Sequence, residues 1–95
     1  MVIRFESANV SFEQELYATV SRALERRPNL AFEVVAVAPG QGGQAQIALA
    51  QGRIRRNAEQ VIRALANMGL SADRINYSAV TSPILSVGEV HLYVR

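Results

Sequence analysis

The stretch from Arg53 to Ile75 constrains the fold of this 95-residue chain more than any other. Ala58, Val61, Ile62, Leu65 and Met68 recur at three- and four-residue spacing, which puts one apolar stripe along a helix. Gly69 stands just past the last apolar position, where a helix commonly ends in a left-handed residue. Ser71, Ala72 and Asp73 make a turn, and from Arg74 to Val80 the residues Ile75, Tyr77 and Ala79 alternate onto one side of a strand. The order of helix, glycine stop, turn and strand is that of a helix delivering the chain into a sheet.

The flanking sequence supplies the rest of that sheet. Val2 to Glu6 alternates Ile3 and Phe5 against Arg4 and Glu6, a first strand. Ser11-Phe12-Glu13-Gln14 has the spacing of a capping box, and Phe12, Leu16, Val20, Ala23 and Leu24 follow it as one apolar stripe. Arg26 and Arg27 suit the negative end of that first helix, and Pro28-Asn29 stops it. Leu30 to Ala38 is nearly continuous apolar sequence, which fits a central strand covered on both faces. A glycine-rich loop, Pro39 to Gly43, comes next, and Ile47, Ala50 and Ile54 carry the second helical stripe backwards from Ala58. Gly52 lies inside this pattern and predicts a break or kink near it. The pattern over Gln44 to Ala50 fits either a helix or a hairpin strand. Thr81 to Gly88 is a loop containing Pro83, and Glu89 to Val94 closes the chain with Val90, Leu92 and Val94 alternating against Glu89, His91 and Tyr93.

The resulting order, β-α-β-α-β-β, predicts one α+β domain over residues 1–95: a two-layer sandwich with a mixed four-stranded sheet and both helices on one face. A ferredoxin-like arrangement is the alternative. The face away from the helices then carries Arg4, Glu6, Glu33, Val35, Val37, Asn76, Ser78, Glu89, His91 and Tyr93, an apolar centre with a charged margin.

Composition removes several classes of function. With no cysteine there is no disulfide, thiolate metal site or cysteine nucleophile. The net charge of +2, carried by ten arginines and no lysine, is too small for a nucleic-acid footprint. No apolar run approaches the roughly 20 residues that span a bilayer. Met1 leads straight into a strand-like segment, so no signal peptide is visible. The chain equally fits the C-terminal domain of a longer secreted protein whose leader lies upstream.

The residues that carry chemistry are few. His91 is the single histidine, and no Gly-x-Ser-x-Gly elbow accompanies it. Further histidines or clustered carboxylates for a metal are missing, and the eight acids are scattered without acid/base pairing. No enzyme, metal or cofactor is expected. Gly40, Gly42 and Gly43 precede a helix and could cradle an anion there, yet the lysine and hydroxyl of a phosphate loop are missing, so a plain connection is the favoured reading. Arg53, Arg56, Gln60, Arg63 and Asn67 share the outward side of the second helix. That stripe suits phosphates or an acidic partner, although a solvated face with Glu59 pairing to Arg55 or Arg63 is favoured.

The run from Asn57 to Ile75 resembles the second helix and exit turn of OmpA-like C-terminal domains. Ala58, Val61, Leu65, Gly69, Arg74 and Ile75 match that family's pattern, and Ile3-x-Phe5 and the apolar second strand before a glycine loop are similar in order and spacing. The resemblance implies a peptidoglycan-binding module of the bacterial cell envelope, in the periplasm. In that family the second strand ends in a Gly-His-Thr-Asp type motif whose Asp holds an amino group of the ligand, whereas Val37 to Gly43 contains no acid. The family's ligand-holding Arg falls on Asn57, with Arg56 about 100° round the helix. The expectation is therefore a non-enzymatic binding or assembly module, with peptidoglycan or a protein as partner and the usual ligand site lost or rebuilt. Its candidate surface comprises Gly40, Gly42, Gly43, Arg53, Arg56, Asn57 and Arg63, and on the open sheet face Val35, Val37, His91 and Tyr93. Two other readings stay open: a cytoplasmic nucleic-acid module using the open sheet face and the Arg stripe, and a scaffold that buries Val35, Val37 and Tyr93 in a homodimer.

Overall fold

Two amphipathic helices and one strand apolar on both sides can bury their stripes together only by stacking helices on a sheet. The computed structural model, which describes residues 1–5 and 11–95, has this arrangement. Its elements are β1 (Val2–Arg4), α1 (Glu13–Arg26), β2 (Phe32–Pro39), α2 (Gln44–Asn67), β3 (Ile75–Ser82) and β4 (Glu89–Val94), with a short 3₁₀ turn at Ala72–Arg74. The sheet order is β1-β4-β2-β3. β2 runs parallel to β3, and β4 lies antiparallel between β1 and β2. The mixed four-stranded α+β sandwich is thus the predicted one. The ferredoxin-like alternative is excluded, because that topology requires the order β-α-β-β-α-β.

A single core lies between sheet and helices. Leu16 and Val20 of α1 and Ile54, Ala58, Val61 and Leu65 of α2 meet Ile3, Phe32, Val34, Ala36, Val90 and Leu92 of the sheet. The pairing register explains this. Phe32, Val34 and Ala36 stand level with Val94, Leu92 and Val90 on one side and with Ile75, Tyr77 and Ala79 on the other. Because side chains alternate along a strand, these rows share the helix side.

The end of α2 follows its sequence signal closely. Gly69 adopts φ +97°. Its N–H donates to the Ala66 carbonyl at 3.0 Å and the Leu70 N–H to that of Leu65 at 3.4 Å. These are the two bonds of a Schellman motif, and the accompanying apolar contact is between Leu65 and Leu70, both buried.

Four expectations are corrected. α2 runs unbroken from Gln44 to Asn67, so Gly52 does not break it, and Gln44–Ala50 is helix. A glycine costs a helix about 1 kcal/mol, less than the burial of Ile54, Ala58, Val61 and Leu65 contributes. The Ser11 capping box is not made. Phe12 is the N-cap, and its N–H donates to Oε2 of Glu13 at 3.1 Å. Phe12 is buried against Phe5, ring centroids 6.0 Å apart, and this anchor sets where the helix starts. β1 ends at Arg4, since the Phe5 N–H donates instead to the Gly88 carbonyl at 3.0 Å. Glu6 lies outside the described residues. β3 extends to Ser82, whose carbonyl accepts the Gly40 N–H at 2.8 Å and so prolongs the parallel ladder.

Candidate binding cleft

Positions 53, 56, 57 and 60 stand at i, i+3, i+4 and i+7, so one face of α2 presents Arg53, Arg56, Asn57 and Gln60 together. This face walls a cleft of about 610 Å³. The opposite wall is Ser86, Val87 and Gly88 from the β3–β4 connection, and Phe5 and Pro39 close the ends of β1 and β2. Ile54 forms the floor. A side chain at Gly88 would begin 2.9 Å from Ile54 Cδ1, so glycine lets the connection settle onto the helix.

The electrostatics of the cleft are one-sided. Among the described residues that line it, Arg53 and Arg56 are charged and none is acidic. Among the described residues neither arginine makes an ion pair, and the expected pairing of Glu59 with Arg55 or Arg63 is not made. The guanidinium of Arg56 lies back along the helix, with Nη1 3.8 Å from where a side chain on Gly52 would begin. Arg56 and Asn57 therefore border the same cleft despite the 100° between them, because the cleft is wide enough to take both.

The remaining candidate residues lie elsewhere. Gly43 caps α2, and its N–H donates to Oε1 of Gln46 at 3.2 Å. Gly40 is pinned to Ser82, and Gly42 makes the turn at φ +102°. These glycines connect β2 to α2 outside the cleft. Arg63 is exposed two turns beyond Arg56 and does not line it.

Val35, Val37, His91 and Tyr93 occupy the far side of the sheet. There His91 Nε2 sits 2.8 Å from Oε1 of Glu89, and Nδ1 sits 3.1 Å from the Tyr93 hydroxyl. Arg4 Nε lies 3.5 Å from Oε2 of the same Glu89. This is a chain of polar partners along one strand face. Val37 is only 6% exposed, so little of it is left for a partner to cover.

Sequence reasoning missed Phe5, Pro39, Ser86, Val87 and Gly88 as cleft residues. It also missed a second groove of about 460 Å³ where Arg55 and Gly52 of α2 face Tyr77, Ala79 and Thr81 of β3, bridged by Gln51 Nε2 donating to Thr81 Oγ1 at 3.0 Å. Gly88 was the available signal, being a lone glycine at a loop–strand boundary. Among the described residues no cluster of His, Cys, Asp or Glu could hold a metal. Among them, too, no helix is long and apolar enough to cross a membrane.

Fold and cleft together define a two-layer α+β domain with an arginine-lined groove at one end of its sheet. The structure is similar to the C-terminal domain of Helicobacter pylori MotB, with a TM-score of 0.63 and 16% identity over 100% of this chain and 84% of that one. At that identity the likeness establishes the fold. No family model and no curated protein sequence matches the chain.

Proposed function

We propose that this domain is a non-enzymatic, peptidoglycan-associating module of the bacterial cell envelope, and that the cleft beside Arg53, Arg56 and Asn57 holds its ligand. The carrying observation is a pair of arginines that, among the described residues, have no ion-pair partner and share one wall of a cleft whose described lining includes no acid. Peptidoglycan stem peptides offer carboxylates, which guanidinium groups bind bidentately, and amides, which suit the side chains of Asn57 and Gln60. The fold likeness to the MotB C-terminal domain and the resemblance of Asn57–Ile75 to OmpA-like domains support the envelope setting. No step of bond-making is assigned to His91, whose partners Glu89 and Tyr93 lie beside it on the sheet face away from the helices.

Co-sedimentation with purified sacculi tests this reading, together with an amide-shift titration using soluble peptidoglycan fragments. The expected result is sedimentation with the sacculi and shifts at Arg53–Gln60 and Ser86–Gly88. A domain that stays in the supernatant and shows no shifts anywhere would overturn it.

A further inference from the structure

We infer that the cleft selects a carboxylate whose neighbouring amine is masked as an amide, the chemistry of a cross-linked stem peptide, over the same carboxylate beside a free ammonium. This rests on the proposed reading of the cleft as the peptidoglycan site and names which form of the polymer it takes.

The argument is one of charge. Arg53 and Arg56, at i and i+3, carry cationic guanidinium groups, donors without an acceptor. Their side chains start roughly 5–6 Å apart, so a carboxylate entering the cleft can accept from both. A diamino acid with a free side-chain amine brings an ammonium in with that carboxylate, since such amines titrate near 10. Among the described residues lining the cleft nothing carries a negative charge to receive it. The ammonium would face two like charges and gain, among the described side chains, only the neutral oxygens of Asn57, Gln60 and Ser86. Acylating the amine, as cross-linking does, removes its charge and leaves an amide that those same side chains can hydrogen-bond. The apolar surfaces of Phe5 and Val87 accept the alkyl chain between the two groups.

The test uses one stem-peptide fragment ending in a diamino acid, with its side-chain amine either free or acetylated, titrated into the domain at pH 7 and low salt. The acetylated form is expected to bind about tenfold more tightly, the factor two like charges at roughly 6 Å give in a water-like dielectric. Arg53→Gln and Arg56→Gln should each weaken it by about tenfold or more, as losing a charged hydrogen bond does. Both side chains are exposed, so the fold is expected to survive these changes. Asn57→Asp places an acid in the cleft and should reverse the preference towards the free amine. Equal or tighter binding of the free-amine form by the unaltered domain overturns the inference. So does the absence of cleft shifts with either form while the domain still sediments with sacculi, an outcome that leaves the envelope reading standing. Failure of both titration and sedimentation removes the two together.

Discussion

Arg74 holds the carbonyl of Leu30 from two nitrogens, Nε at 2.9 Å and Nη2 at 2.7 Å, and the same Nη2 also takes the carbonyl of Pro28 at 2.7 Å. The start of β3 is thereby fastened to the turn that leads into β2, its parallel neighbour. This fork of donors makes Arg74 a structural residue.

Arg74→Ala is expected to lower stability by about 1.5–3 kcal/mol, the range for charged hydrogen bonds with a partly buried acceptor. Arg74→Lys should recover only part of that, because one ammonium cannot reproduce the planar fork. Urea unfolding of the two variants beside the parent would check both values. Equal stability of all three would show that the turn is held without Arg74.

Two glycines should respond in opposite directions to alanine. A side chain on Gly40 would begin 2.9 Å from Thr81 Cγ2 and 3.0 Å from the Ser82 carbonyl oxygen, pushing β2 away from β3. Gly40→Ala is expected to cost about 1–3 kcal/mol. Gly52 is in mid-helix, and a side chain there would meet only Arg56 Nη1 at an ordinary contact distance of 3.8 Å, so Gly52→Ala should stabilise by about 0.5–1 kcal/mol. Thermal melting curves shifting in the same direction would contradict this account.

Leu65 is fully buried and supplies both a core contact and the carbonyl that accepts from Leu70. Leu65→Ala keeps the carbonyl and removes the side chain, so the loss should fall in the range of about 2–5 kcal/mol for cavity-forming substitutions. A loss below about 1 kcal/mol, measured by denaturant titration, would mean that the helix–sheet interface is looser than its burial indicates.

The fold favours the ionised form of Asp73. A hydrogen bond from the Ser71 side chain, with further help from its own backbone N–H and nearby Arg74, holds its carboxyl below the ordinary aspartate value of 3.8. The folded state thus favours the ionised form. Its contribution is complete above that ordinary value and is lost as pH falls through the lowered one. Asp73→Asn or Ser71→Ala should flatten the acid limb of the stability–pH curve and leave its slope near neutrality unchanged. An unaltered acid limb in both variants would dismiss the effect.

The helices and strands were readable because their signals are local. The stripe from Ile54 to Met68 and the stop at Gly69 rest on contacts within a few residues, and the structure reproduces them. The misreadings came where tertiary contacts overrode local rules. Ser11 gave way as a cap because Phe12 is anchored in the core beside Phe5. Gly52 stayed helical because the residues after it bury Ile54, Ala58 and Val61 against the sheet.

Sequence alone therefore determined the element types, the two apolar stripes and the α+β class, since periodicity and capping are properties of neighbouring residues. Only the tertiary structure decided that Arg53, Arg56 and Asn57 share a cleft with Phe5, Ser86 and Gly88. Those residues come from the start, the middle and the end of the chain, and the sheet order β1-β4-β2-β3 brings them together. By placing β4 between β1 and β2, that order sets the β3–β4 connection beside Phe5, where the Phe5 N–H bonds to Gly88. Long-range strand pairing leaves no mark in local spacing, and this is why the helix wall of the cleft was legible in the sequence while Phe5, Pro39 and Ser86 to Gly88 were not.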